Sequence, residues 1–169
     1  MIPRWDFILL VDSSERNEMA TEIRHRAIIR PLGIVYDAIA PFSYALLRFV
    51  AGAFLVPHGY PKLFQGGAVA IAPTIAKLGF HPALGWAYAV GCVEVFGGIL
   101  IAIGFLTRIA AAAAMIELLV IVILVKSANG FFARNNGFEF ELIWALLCLM
   151  IFFKGGGRYS VDRAIGKEI

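Results

Sequence analysis

The sequence predicts an all-α integral membrane protein: a four-helix transmembrane bundle with an N-terminal interfacial helix. Three observations carry that prediction. The 169 residues are 60% hydrophobic and only 16% charged, against about 25% charged in an ordinary soluble domain. The apolar residues are gathered into blocks of bilayer length, and mean hydropathy is +0.81. Two glutamates, Glu94 and Glu117, lie in the middle of such blocks. An ionised carboxylate at bilayer depth costs roughly 2.5–3.5 kcal/mol, so each needs a partner, a proton or a water-filled cavity. The polar interior is where function should be sought.

Residues 1–41 form a cytoplasmic or interfacial segment. Asp12 with Glu15 three positions later suits a helix start. Met19, Ile23 and Ala27 then recur every four residues among Arg16, Arg24, Arg26 and Arg30. The pattern predicts a short basic helix on the membrane surface, with a partly ordered tail as the alternative. Pro31 and Pro41 bracket a second short segment. The bundle occupies residues 42–154, with spans at about 42–63, 84–106, 109–125 and 138–153, near the ~20 residues that cross a bilayer at about 1.5 Å each. Pro57 is a kink point in the first span. Gln65–Pro82 is the longest connection, with a short helix expected around Ala70–Leu78. Only Thr107 and Arg108 separate the second and third spans, so these form an antiparallel hairpin. Residues 155–169 are a cytoplasmic tail.

Charge sets orientation and excludes some functions. Residues 1–41, the Thr107–Arg108 turn and residues 154–169 carry ten Lys and Arg, against four (Lys62, Lys77, Lys126, Arg134) on the other side. The positive-inside rule then puts both termini in the cytoplasm of a bacterial or archaeal cell, with the chain in the cytoplasmic membrane. The net charge of +3 suits anionic lipid headgroups. No nucleic-acid-binding pattern is present. Cys92 and Cys148 fall within spans and form no CxxC. Phe7–Val11 is too short for a signal h-region. No catalytic triad, phosphate loop or GxGxxG occurs. Of His25, His58 and His81, only His58 is in a span, which excludes a bis-histidine haem within a single bundle. His58, His81 and Glu139 lack helical ligand spacing, so no metal site is expected.

The candidate site residues are Arg48, His58, Lys62, Glu94 and Glu117, with Glu139 and Glu141 at the outer face. At 100° per residue, Arg48, Leu55, His58 and Lys62 share an arc of about 80°. Glu94 shares a face with Ala87, Gly91 and Gly98, and Glu117 with Ala110, Ala113 and Ala114. Small residues let helices approach closely in lipid, so both carboxylates should face neighbouring helices. Counted from the helix ends, Arg48 lies about 9 Å deep, Glu117 about 13 Å and Glu94 about 18 Å. That makes Arg48–Glu117 the expected pair, because a guanidinium satisfies a carboxylate with two hydrogen bonds. The pair would serve either as a helix-neighbour determinant or in proton handling and headgroup recognition. His58 and Lys62 are read either as interfacial anchors or as donors to a ligand from the outer leaflet. Glu139 and Glu141 are read as charges at a helix N-terminus, Glu141 also as a partner for Lys126 or Arg134.

Several short motifs resemble those of the DoxX family of small four-span membrane proteins. They are Arg48 with Gly52, His58-Gly59-Tyr60-Pro61-Lys62-Leu63, Glu94-Val95-Phe96-Gly97-Gly98, Gly104-Phe105-Leu106-Thr107-Arg108, Asn136-Gly137-Phe138-Glu139, and Gly155-Gly156-Gly157-Arg158-Tyr159-Ser160-Val161-Asp162. The resemblance covers about residues 43–162; Asn136 stands where the family pattern has glycine. It implies a four-helix fold. Some members are subunits of a membrane thiosulfate:quinone oxidoreductase, and others partner soluble redox-defence enzymes.

Three functions are thus in play. The first is an anchor or partner within a larger, redox-related membrane complex, contacting lipid and other subunits or further copies of itself. The second is a quinone-binding subunit of a thiosulfate:quinone-type oxidoreductase, with no intrinsic cofactor but quinone as a bound one. The third is a small proton or solute transporter. The chain shows no catalytic motif of its own.

Overall fold

The computed structural model describes residues 30–166, so the interfacial helix expected before residue 30 lies outside the described residues. Two units are distinguished, one ending at Phe42 and the other running from Ser43 to Ile169; the site lies wholly in the second. The described residues are helical and contain no strand. In chain order the helices are α1 (Arg30–Ala53), α2 (Val56–Phe64), α3 (Gly67–Lys77), α4 (Ala83–Cys92), α5 (Gly98–Ile103), α6 (Thr107–Val120), α7 (Glu139–Lys154) and α8 (Val161–Ala164). Two π-helical turns are inserted, Val93–Gly97 between α4 and α5 and Ile121–Lys126 after α6.

Three stretches are long and apolar enough to cross a membrane: Ala38–Phe64, Ala83–Ile103 and Thr107–Asn129. The fourth expected span is α7, a 16-residue helix, which packs along α6. Large apolar side chains such as Phe49, Phe96, Ile116, Ile123 and Met150 point outward, as lipid-facing residues do when the bilayer is the solvent. The core between the spans is built from Ala51, Leu55, Ile101, Ala110, Ala111, Ala114, Leu118, Ala145, Cys148 and Ile151.

Two glycines on the first span set its contact with the second. A Cβ on Gly59 would come within 2.7 Å of the Glu94 Cβ and 2.8 Å of the Gly91 carbonyl oxygen. One on Gly52 would overlap the Gly98 carbonyl oxygen and stand 2.5 Å from the Ala102 nitrogen. The matching pairs, Gly52 with Gly98 and Gly59 with Gly91, fix an antiparallel register. Gly52→Ala is therefore expected to destabilise the bundle by about 1–3 kcal/mol through overpacking, measured as a lowered unfolding midpoint in detergent. Gly85→Ala should be near neutral, because its Cβ would meet only Pro82 at 3.5 Å.

Between α1 and α2 the first span breaks at Phe54 and Leu55. The cause is Pro57 in the first turn of α2, which has no N–H to give and whose ring disfavours a continuous helix. The break changes the facing of everything after it. The expected common arc for Arg48, Leu55, His58 and Lys62 does not survive: Arg48 and Leu55 are buried, His58 is exposed and Lys62 turns toward the second span. The short helix expected near Ala70–Leu78 is α3, which starts three residues earlier and packs against α4.

Candidate ligand site at the ionic centre of the bundle

Glu94 sits about halfway along the second span, within the π-helical turn Val93–Gly97. Such turns shift side-chain direction by widening one helical turn, and they recur at functional sites. The Glu94 side chain is 9% exposed and its Oε2 accepts from the Lys62 ammonium. Lys62 Nζ also donates to the His58 carbonyl oxygen at 3.1 Å. An ammonium carries three N–H donors, so one is left for a further acceptor.

Lys62 projects into a cavity of about 410 Å³. Of the fifteen residues that line it, only Lys62 and Glu117 are ionisable. The rest include Ile71, Ile75 and Leu78 from α3, Trp86 from α4 and Val120 from α6. Both oxygens of Glu117 are buried and accept no hydrogen bond. A buried carboxyl in that state is uncommon in folded proteins, and ordered water or a polar group of a ligand would satisfy it. The cavity therefore offers the Lys62 ammonium, the Glu117 carboxyl, the Thr74 hydroxyl and the Trp86 indole N–H as its side-chain polar groups, with apolar and aromatic surface elsewhere.

A second cavity, of about 430 Å³, is lined by the other member of the ion pair, Glu94. His58, Glu94, Lys126 and Glu141 line it together with Trp144, Leu118 and Phe140. Lys126 Nζ donates to Glu141 Oε1 at 2.6 Å, one of the pairings expected from sequence. Glu139 instead accepts from the backbone N–H of Ala133 at 3.0 Å, tying the connection before α7. Both glutamates lie in the first turn of α7.

Arg48 is not part of this site, and the expected Arg48–Glu117 pair is not formed. Arg48 is 3% exposed and spends its guanidinium on backbone. Nη1 donates to the Gly156 carbonyl at 2.7 Å, and Nη2 to those of Tyr159 at 2.8 Å and Ala102 at 3.3 Å. The depth count failed because it assumed an uninterrupted first span and gave the tail no role. The tail folds back instead. Tyr44 donates to the Gly155 carbonyl at 2.6 Å, and Arg108 Nη1 to the carbonyls of Phe152 and Phe153, both at 3.0 Å, closing the C-terminal turn of α7.

Asp162 completes this structural knot. Its carboxylate accepts from the backbone N–H groups of Leu106 (2.8 Å) and Thr107 (3.0 Å) and from the Thr107 hydroxyl (2.6 Å). It thereby caps α6, whose N-cap residue Leu106 has a left-handed φ of 46°. Burial opposes the Asp162 charge, but the hydrogen bonds from Thr107 and Leu106 and the field of Arg48 hold its carboxyl below the usual carboxylate range. A carboxyl with a depressed folded-state pKa contributes stability above its unfolded value, about 3.9, and loses it as pH falls through the folded value. Asp162→Asn should thus lower stability by about 1–2 kcal/mol near neutral pH, as loss of a helix cap does. The gap from the native protein should close as pH drops below the ordinary carboxylate value, a trend that unfolding midpoints across pH will show.

The sequence motifs accordingly fall into two groups. Arg48, Thr107, Arg108 and the 155–162 segment lock the tail to the bundle. His58, Lys62, Glu94 and Glu117 form the ionic centre. Sequence reasoning missed the Lys62–Glu94 pair, although the glycines that set it, Gly59 and Gly91, were readable as a close-approach register. It also missed the capping role of Asp162 and the cavity wall supplied by α3, Phe80 and Trp86.

The family model for DoxX matches residues 43–127, a stretch that contains Arg48, the whole ionic centre and α3. A Haemophilus influenzae protein described only as uncharacterized is 29% identical over 133 residues, covering 76% of this chain and 94% of its own length. A Mycobacterium tuberculosis protein, described as an uncharacterized membrane protein, is 25% identical over 141 residues, covering 78% of this chain and 86% of its own. No solved structure matches the chain.

Proposed function

The chain belongs to the DoxX family of membrane proteins, and from that premise we propose that it is a membrane subunit of a redox-related complex that holds a lipid-soluble quinone in the apolar cavity. One observation carries this reading: the Glu117 carboxyl, buried and without a hydrogen-bond partner, lies in a mainly apolar cavity whose other ionisable group is Lys62. Ligand sites in general are apolar concavities with a few convergent polar groups. The remaining Lys62 N–H suits a quinone carbonyl, and Glu117 suits the hydroxyl of the reduced form. Trp86 and Phe80 give the ring aromatic neighbours. The quinone, when bound, supplies the two-electron chemistry; Lys62 and Glu117 orient it. The other electron partner is either a further subunit or a substrate that reacts at the quinone. The positive-inside count supports a cytoplasmic membrane as the location, with both termini in the cytoplasm.

Titration of the detergent-solubilised chain with a short-tailed benzoquinone should quench Trp86 emission saturably, and Trp86→Phe should remove that component. Glu117→Leu should weaken binding about tenfold or more, since a hydrogen bond to a charged group is worth about 1.5–3 kcal/mol. Non-saturable quenching, unchanged by Glu117→Leu, contradicts the reading. A pure anchor is the second reading, and the tail knot around Arg48 and Asp162 suits it. It predicts a co-purifying protein partner and no bound quinone.

A further inference from the structure

We propose that the second cavity is a hydrated proton-uptake path, leading from the end of the bundle that carries the 127–138 connection to the carboxylate of Glu94. The inference rests on the division of labour between the two cavities and stands whatever molecule occupies the apolar one. The two members of one ion pair are divided between them: Lys62 lines the first and Glu94 the second, while Ile121 contributes to both walls. Their chemistry differs. Two of fifteen lining residues are ionisable in the first cavity, four of ten in the second.

The second cavity begins at Lys126 and Glu141, whose side chains remain 23% and 18% exposed. Glu141 Oε1 is taken by Lys126, but Oε2 is buried and has no partner. A cavity of about 430 Å³ with several polar groups within it is roomy and polar enough for ordered water, which needs two to four such partners. Water there satisfies Glu141 Oε2 and continues past His58 to Glu94. Both π-helical turns border the route, one carrying Glu94 and the other supplying Ile121 and Lys126. The wide turns are what open space beside otherwise close-packed helices.

The step itself is a proton transfer without change of oxidation state. A proton from water at the Lys126–Glu141 end moves along the water file and binds the Glu94 carboxylate. The Lys62–Glu94 attraction weakens, and the Lys62 ammonium is freed to face Glu117 across the apolar cavity. The ionisable groups around Glu94 are Lys62 and His58 from the first span, Glu117 from α6, and Lys126 and Glu141 lining the same polar cavity.

The test uses the full chain in phosphatidylcholine nanodiscs, with Cys92→Ser removing the exposed native thiol; Cys148 is buried and stays. Leu118→Cys reports on the polar cavity and Ala113→Cys on the apolar one. A charged thiosulfonate should modify Leu118→Cys at least about tenfold faster, because thiol reactivity follows access to water and thiolate character. On acidification, infrared spectra should show a carboxylic acid band that is absent in Glu94→Gln. Its exchange in heavy water should slow by about tenfold or more in Leu118→Phe, which fills the water-holding volume. Should Leu118→Phe not fold, Leu55→Phe fills the same cavity from the first span. Equal labelling of the two cysteines, absence of the Glu94 band, or exchange untouched by either filling substitution overturns the proposal.

Discussion

Lys62→Met is expected to destabilise the protein by about 3–5 kcal/mol, the penalty for leaving the other half of a buried ion pair uncompensated. Glu94 is the group left behind, 9% exposed in its side chain and packed against Gly59. Methionine keeps the length and most of the volume of lysine, so lost packing contributes little. Denaturant unfolding in detergent measures the change. The double variant Lys62→Met/Glu94→Leu should recover most of the loss, because replacing both partners removes the desolvation cost together with the attraction. Recovery of stability with loss of quinone quenching would separate the two uses of the pair, one in holding the first and second spans together and one in presenting a donor to the cavity.

Arg48→Leu should cost about 3 kcal/mol or more, by orphaning buried backbone carbonyls that the guanidinium now satisfies. Three are affected, at Ala102, Gly156 and Tyr159. The damage should concentrate in the tail. Trypsin cleavage after Arg158 should become much faster, while the Lys62–Glu94 centre and the apolar cavity stay intact. Arg48→Lys should rescue only part of the stability, because a point-like ammonium cannot reproduce a planar fork that reaches three acceptors. A loss of quinone binding larger than the loss of stability would mean that Arg48 serves the cavity directly, against the separation of roles proposed above.

The fold was legible because it rests on long-range periodicity. Apolar blocks of bilayer length pointed to the spans, and the hairpin expected at Thr107-Arg108 turns instead at residues 104–106, where Gly104 and Leu106 have left-handed backbones and Thr107 already opens α6. The small-residue stripe through Ala87, Gly91 and Gly98 lies buried with Glu94 among it. The third span was less transparent. Its packed stripe is Ala110, Ala111, Ala114 and Leu118, which leaves Ala113 and Glu117 at its edge, on the cavity. A helical wheel of alanines cannot distinguish those two faces, because it has no way to show which neighbour stops short.

The candidate site was half legible. Lys62, Glu94 and Glu117 stood out in the sequence because a charge in an apolar block contrasts with its surroundings. Their partners did not. Pairing depended on the break at Phe54–Leu55, which re-aims Lys62, and on a tail that returns to occupy Arg48. Helical arcs and depth counts treat each span as straight and each end as free, and the first span violates both assumptions. The ionic centre then emerged from backbone proximity at Gly59 and Gly91, a feature with no charge to advertise it.

The proposed occupant of the cavity lined by Lys62 and Glu117 is a lipid-soluble quinone. Extraction of small molecules from the chain purified in its native lipid, compared with the same extraction from Glu117→Leu, tests it most directly. About one quinone per chain is expected from the native protein and background amounts from the variant. Quinone at no more than its level in the surrounding lipid, with the native protein folded and the cavity residues intact, would contradict it.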